Sequence, residues 1–284
     1  GTLLAQMLKM SSFENLEKYE QNSPEALQIM VEAERRAYAD RAEYMGDPDF
    51  ITDKTEMLIS DKYLKNRWKN FSFEKATPSA EVGKIVNQPK ESEQTTHLSI
   101  IDKYGNAVSV TTTLNGLYGS KVVVKGGGYF LNNEMDDFSV KPGVPNMYGA
   151  VGGEANSIAP NKRMLSSMTP TIVLKNGKPF IIVGTPGGTT IPTSVYQSIV
   201  NAIDFKLSPN FVINAPKFHH QWLPEVVFVE KNFPQSTLKA LEQKNYKFEK
   251  RGGIGRTEMI IIDEKGNAAA VADGRGDDSV AVEN

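Results

Sequence analysis

The sequence predicts an α+β fold in which helices cover antiparallel sheets. Three observations carry that prediction. Residues 1–94 are mainly helical in their apolar spacing, residues 95–284 are mainly strands joined by hairpin turns, and helical stretches at 190–206 and 235–244 interrupt the strands. The change of character near residue 95 divides the chain into two regions, 1–94 and 95–284.

In the first region, residues 3–10 and 24–45 carry apolar side chains at helical spacing, as in Leu27, Met30, Val31, Ala33, Ala37 and Ala39. Ser23-Pro24 is a good helix start, because a serine hydroxyl caps orphan amides and proline tolerates the first turn. A further helix at about 60–69 follows Ser60. Residues 71–94 are polar, contain proline and lysine, and lack periodicity, so they read as an exposed connector of the kind that holds a linker or a cleavage site. In the second region, runs 97–102 and 107–114 flank Lys103-Tyr104-Gly105-Asn106. Runs 171–174 and 180–184 flank Asn176-Gly177, and runs 259–262 and 268–272 flank a turn at 263–267. The glycines at 126–128 and the Pro/Gly-rich stretch 139–162 read as loops, and a long loop in a compact domain often has a functional role.

Composition excludes several classes. With 284 residues, 39% hydrophobic and 23% charged, the chain can bury a large core. Its 32 Lys+Arg against 34 Asp+Glu leave a net charge of -2, which gives no electrostatic footprint for nucleic acid or an anionic membrane. The absence of cysteine removes disulfides, thiolate nucleophiles and Cys-based metal sites. No apolar run is long enough for a membrane helix. The chain starts at Gly1 without a leader, so its start reads as a processing or cloning boundary.

Few residues force a mechanism when taken singly. The histidines His97, His219 and His220 form no HExxH or spaced ligand set, so a structural role is expected for all three and no metal is expected. There is no GxSxG elbow and no GxxxxGK[ST] loop. The glycine-rich segments lack the strand-to-helix context of a dinucleotide site, and no cofactor is called for. What remains is a threonine-led strand, Thr95-Thr96-His97-Leu98-Ser99, directly after the polar connector. A threonine hydroxyl needs a base to act as a nucleophile, and a free α-amine on the same residue, with a reference pKa near ~8, can serve. Cutting before Thr95 would create nucleophile and base together, although the residues alone also fit the mere start of a strand.

The segments TTHLSIID at 95–102, TLN at 113–115, LNNEMDDFS at 131–139, KPGVPNMYGAVGG at 141–153, PNKRMLSSMTPTIV at 160–173, GTPGG at 184–188 and NAPKFHHQWLP at 214–224 stand in an order and spacing that resemble the γ-glutamyltranspeptidase family. The resemblance covers residue 1 to about 275, corresponding to the last part of a large subunit and nearly a whole small subunit. It implies a four-layer αββα N-terminal-nucleophile hydrolase sandwich, incomplete because the upstream part of the large subunit is absent. It also implies autocatalytic cleavage between Gln94 and Thr95, and γ-glutamyl transfer from a glutathione-like donor to water, an amino acid or a peptide.

By the same resemblance, Thr95 is the nucleophile, Thr113 its supporting hydroxyl, and Gly187 and Gly188 are the oxyanion-hole glycines. Asn115, Glu134 and Asp137 resemble the group holding the donor's α-ammonium, and the spacing of Thr113 and Asn115 is expected to put them on one face of a strand. Ser166 and Ser167 match the hydroxyl pair for its α-carboxylate, and Tyr148 matches the aromatic tip of a lid. The family's α-carboxylate arginine falls upstream, none of Arg35, Arg36, Arg41 or Arg67 matching its motif. The fragment alone is therefore expected to be inactive and to expose apolar surface. A periplasmic, secreted or cell-surface location is implied by the family. The alternatives are a related acylase acting on polyglutamate or a cephalosporin side chain, and an unprocessed binding module.

Overall fold

In the computed structural model, residues 1–83, 94–139, 141–144 and 152–282 are described. The helical first region forms α1 (Thr2–Ser11), α2 (Pro24–Tyr44), α3 (Thr55–Leu58), α4 (Asp61–Trp68) and α5 (Ser79–Val82). The start signals act as expected: Ser23 Oγ accepts from the Ala26 N–H at 3.3 Å, and Ser60 Oγ from the Tyr63 N–H at 3.3 Å.

Helix α2 is buried along most of its length, charged residues included. Glu32 accepts from Arg35 Nε at 3.2 Å and Arg36 Nη1 at 2.5 Å, while Arg36 Nη2 donates to Asn70 Oδ1 at 2.7 Å and Thr77 Oγ1 at 3.0 Å. A buried guanidinium must have its donors filled, and the segment after α4 fills them. Residues 71–83 accordingly differ from the expected exposed connector: Thr77, Ser79 and Val82 are buried, and Phe71 stacks on Trp68 at 4.5 Å. Residues 84–93, the rest of that stretch, lie outside the described residues.

The second region contains β1 (Thr96–Ile101), β2 (Ala107–Thr112), β3 (Thr171–Lys175), β4 (Lys178–Gly184), α6 (Thr190–Ile203), α7 (Pro209–Asn214), β5 (Phe218–His219), β6 (Val227–Glu230), α8 (Gln235–Glu242), β7 (Phe248–Arg251), β8 (Glu258–Ile262) and β9 (Ala268–Val271). All three anticipated hairpins form, β1–β2, β3–β4 and β8–β9, the last two joined through the β4–β8 pair into a sheet of order β3-β4-β8-β9. The sequence reading did not include α7 or the sheet β5-β6-β7, whose strands are two to four residues long.

Alternation along β4 separates two interfaces. Ile181 and Val183 join the main apolar core with α1, α2 and α6, whereas Gly184, on the opposite face, lies against His97 of β1. The β1–β2 hairpin therefore stacks on the other side of the four-stranded sheet, giving a helix layer, a sheet layer and a second sheet layer. The hairpin turns its polar face inward: His97, Ser99, Ser109 and Thr111 meet the sheet, and Leu98, Ile100, Val108 and Val110 face out, Leu98 being 52% exposed. This matches the apolar surface expected from the sequence. Among the described residues nothing supplies a fourth layer over that face, and no helix is long and apolar enough to cross a membrane.

Candidate active site

Residue 95 stands immediately before β1, and β2 runs back alongside so that Thr96 pairs with Thr112. This register brings Thr95 Oγ1 to 3.4 Å from Thr113 Oγ1. Thr113 donates its hydroxyl to the Gln94 carbonyl oxygen at 2.8 Å and accepts from the Asn115 N–H at 2.9 Å. One hydroxyl thus touches the carbonyl that precedes Thr95 and stands beside the Thr95 oxygen. The expectation that Thr113 and Asn115 share a strand face is corrected: β2 ends at Thr112, and Asn115 has φ 71°, in the left-handed region that asparagine tolerates better than most residues. The turn points the Asn115 backbone N–H at Thr113 and lets its side-chain amide donate to the Asn133 carbonyl at 3.2 Å.

That bond leads to the acidic loop, where residues 134–137 form a short 3₁₀ turn, Glu134–Asp137. Burial pushes the Asp137 carboxyl up to about 6, with Glu134 and Asp136 adding repulsion and Arg41 opposing the rise. Burial raises Glu134 as well. Arg41 also donates from Nη2 to Ser167 Oγ at 3.1 Å, so one guanidinium stands between the acidic loop and the serine pair. Asn156 makes a second link, donating to the Asp137 carbonyl at 2.7 Å and accepting from the Leu165 N–H at 3.0 Å. Ser166 and Ser167 line a cavity of about 150 Å³ with Arg41, Tyr44 and Met168. A larger cleft, about 340 Å³, lies elsewhere beside Glu230 and Arg275; its central charges are already paired to each other at 2.5 and 2.6 Å.

Gly187 and Gly188 occupy the turn between β4 and α6, with φ 135° and 56°. A Cβ at Gly187 would stand 2.4 Å from Thr190 Oγ1, so the close approach as well as the dihedral requires glycine. Among the described residues neither glycine N–H has a hydrogen-bond partner, and both lie by the N-terminal end of α6, where the helix dipole favours negative charge. Among the described residues no hydrogen bond joins either glycine to Thr95. The connection runs through Gly184, whose Cβ position would lie 2.1 Å from the His97 ring. Tyr148 falls outside the described residues.

His97 is buried, with Nδ1 2.8 Å from Thr111 Oγ1 and Nε2 3.0 Å from Ser99 Oγ, and burial lowers its pKa to about 4. His219 and His220 are fully buried as well. Among the described residues no group of three or more His, Cys, Asp or Glu side chains could hold a metal ion.

One face of α2 carries polar residues not anticipated at the site, Arg41 among them although it matches no family arginine motif. Glu34 accepts from the His220 N–H at 2.8 Å, Tyr38 donates its hydroxyl to the Thr189 carbonyl, and Arg41 reaches Ser167. The spacing i, i+4, i+7 was visible, but polar residues at that period are ordinarily a solvent face.

The γ-glutamyltranspeptidase family model matches residues 1–283. The chain is 48% identical over 282 residues to a glutathione hydrolase proenzyme of Escherichia coli (strain K12), covering 99% of this chain and 48% of the relative. It thus spans about half the length of the curated relatives it matches. A solved acivicin-inhibited γ-glutamyltranspeptidase, whose C-terminus is described as critical for autoprocessing and catalysis, is 47% identical with TM-score 0.62, covering 64% of this chain and 99% of that one. A cephalosporin acylase from Bacillus halodurans is 26% identical with TM-score 0.80 over 100% of this chain and 49% of its own. The fold is that of the αββα N-terminal-nucleophile hydrolases, of which the described residues build three layers. The chain belongs to the γ-glutamyltranspeptidase family.

Proposed function

We propose that this chain carries the self-processing and γ-glutamyl-transferring centre of a glutathione hydrolase, with Thr95 as nucleophile. The observation that carries the reading is the Thr113 hydroxyl, 2.8 Å from the Gln94 carbonyl oxygen and 3.4 Å from Thr95 Oγ1. Hydrogen bonding to that carbonyl polarises it toward attack by the neighbouring oxygen. Thr95 Oγ adds to the Gln94 carbonyl carbon, the C–N bond breaks, and the nitrogen takes the hydroxyl proton to become the Thr95 α-amine. Water then cleaves the ester, leaving a Gln94 carboxylate and a free threonine. In this reading 1–94 is the end of a large subunit and 95–284 is the small-subunit catalytic region.

In turnover the α-amine accepts the Thr95 hydroxyl proton as the oxygen attacks the donor's γ-carbonyl. The leaving amine departs with a proton, and water or an acceptor amine releases the γ-glutamyl group. Gly187 and Gly188 supply oxyanion donors, Asp137, Glu134 and Asn115 face the α-ammonium, and Ser166 and Ser167 face the α-carboxylate. Tyr148 serves as the lid. A glutathione-like donor is favoured over a cephalosporin side chain by the much higher identity to the glutathione hydrolase. The remaining half, corresponding to the upstream part of the relatives, covers the outward apolar face of β1–β2 and completes the donor site. The assembled enzyme works in the periplasm, as a secreted protein or at the cell surface.

A Thr95→Ala substitution in the full-length protein tests this reading. Mass spectrometry should find one uncut polypeptide, with no product released from a γ-glutamyl anilide. Cleavage or turnover surviving in that variant overturns it.

A further inference from the structure

The two glycine N–H groups, which have no hydrogen-bond partner among the described residues, owe their direction to two threonines that flank them. The peptide linking Gly187 to Gly188 is trans, so its C=O and N–H point opposite ways. Its carbonyl oxygen accepts from the Thr190 N–H at 3.0 Å and from Thr190 Oγ1 at 2.7 Å. The peptide linking Pro186 to Gly187 is also trans, and its carbonyl oxygen accepts from Thr185 Oγ1 at 2.7 Å. Thr185 Oγ1 is itself fixed, accepting from the Arg256 N–H at 2.8 Å. Both threonines are fully buried, so neither hydroxyl can turn to water. Each hydroxyl holds one peptide plane by its oxygen and sends the N–H of that plane the other way.

From this geometry we infer that Thr185 and Thr190 are positioning residues for the oxyanion site, Thr185 orienting the Gly187 N–H and Thr190 the Gly188 N–H. The inference rests on the reading that these two glycines stabilise the tetrahedral intermediate. Glycines at φ 135° and 56° have wide conformational freedom, and a peptide between two of them can flip. A flip would turn a carbonyl oxygen toward the developing anion. Hydroxyl pins hold the donors before charge develops, which is where preorganisation acts.

The test compares Thr→Val, which keeps shape and removes the hydroxyl, with Thr→Ser, which keeps the hydroxyl, at each position in the full-length processed protein. The expected result is a fall in kcat of about 10- to 100-fold for Val with KM within about threefold, and Ser within about threefold of the parent. Affinity for a boronic acid that forms a tetrahedral adduct on Thr95 should fall with kcat, while affinity for free glutamate stays unchanged. A merely structural role would move both affinities or neither. Val variants with parental kcat, or Ser variants that lose as much as Val, overturn the inference. Should a Val variant fail to mature, the Ser variant at that position decides by the same threefold criterion. Thr95→Ala separates the two levels: if it is inactive while the Val variants are normal, only the positioning role falls, and if it stays active the oxyanion reading falls with it.

Discussion

Thr113 donates its hydroxyl to the Gln94 carbonyl oxygen at 2.8 Å while its own oxygen stands 3.4 Å from that of Thr95. In the proposed processing step one side chain polarises the bond to be cut and steadies the attacking hydroxyl. Thr113→Val keeps the volume and removes the donor, so cleavage at 94/95 should slow by about 100-fold or more. A time course of intact mass after synthesis checks this; cleavage at the parental rate contradicts it.

Asp137 gives a pH signature. Burial raises its carboxyl to about 6, so the carboxylate proposed to meet an α-ammonium is lost as pH falls through that value. In the processed full-length enzyme, kcat/KM should fall about tenfold per pH unit below about 6, and Asp137→Asn should remove that limb along with most activity. The linkage to stability has the opposite sense. With the folded pKa above the unfolded one, the folded state binds more protons between about 4 and 6, so this group's contribution weakens as pH rises through that window. Asp137→Asn should flatten the stability profile there, read from melting temperature against pH.

Arg41 joins the two halves of the proposed donor site, holding Ser167 at 3.1 Å and opposing the rise of the Asp137 carboxyl. Arg41→Met should raise the donor KM about 10- to 100-fold, as expected for losing a charge-assisted hydrogen bond. It should also move the acid limb of kcat/KM to higher pH, because the group that opposes the Asp137 rise is gone. Steady-state kinetics across pH 5 to 8 reads both effects.

How much of this was legible in the sequence depended on how locally it is encoded. The hairpins around Asn176-Gly177 and 263–267 were readable because turn chemistry sits in adjacent residues. The proximity of Thr95 to Thr113 was anticipated only through the order of many motifs, since Thr95 alone looks like any strand start. The inverted hairpin was half readable: alternation at 97–101 and 107–111 is plain, but a sequence cannot say that the polar side faces a sheet. The Asn115 turn was missed because a left-handed residue after a strand leaves no spacing signal. Tyr38 was missed, and Arg41 was considered only as a motif match and set aside, because their partners, Thr189 and Ser167, lie more than a hundred positions away.

Gly184 is required by His97. A Cβ there would lie 2.1 Å from the imidazole, whose ring is held by Thr111 and Ser99 and cannot yield freely. Gly184→Ala should destabilise the protein by about 1 to 3 kcal/mol, as overpacking does, and should lower activity by shifting the hairpin that carries Thr95. Thermal melting with parallel kinetics checks this.

The outward face of β1–β2 should behave differently in the two forms of the protein. In residues 1–284 alone, Leu98, Ile100, Val108 and Val110 are exposed, and self-association is expected in sedimentation runs. Val110→Lys should reduce that association. In the full-length protein the same change should destabilise by about 2 kcal/mol, the proposed upstream half covering the side chain there.

The nucleophile can be identified directly. The full-length protein is matured, acylated with a slowly released γ-glutamyl analogue, digested and mapped by mass spectrometry. A small chain whose first residue is Thr95, with the adduct on that residue, is the predicted result. A chain starting elsewhere, or an adduct on any other side chain, contradicts the account.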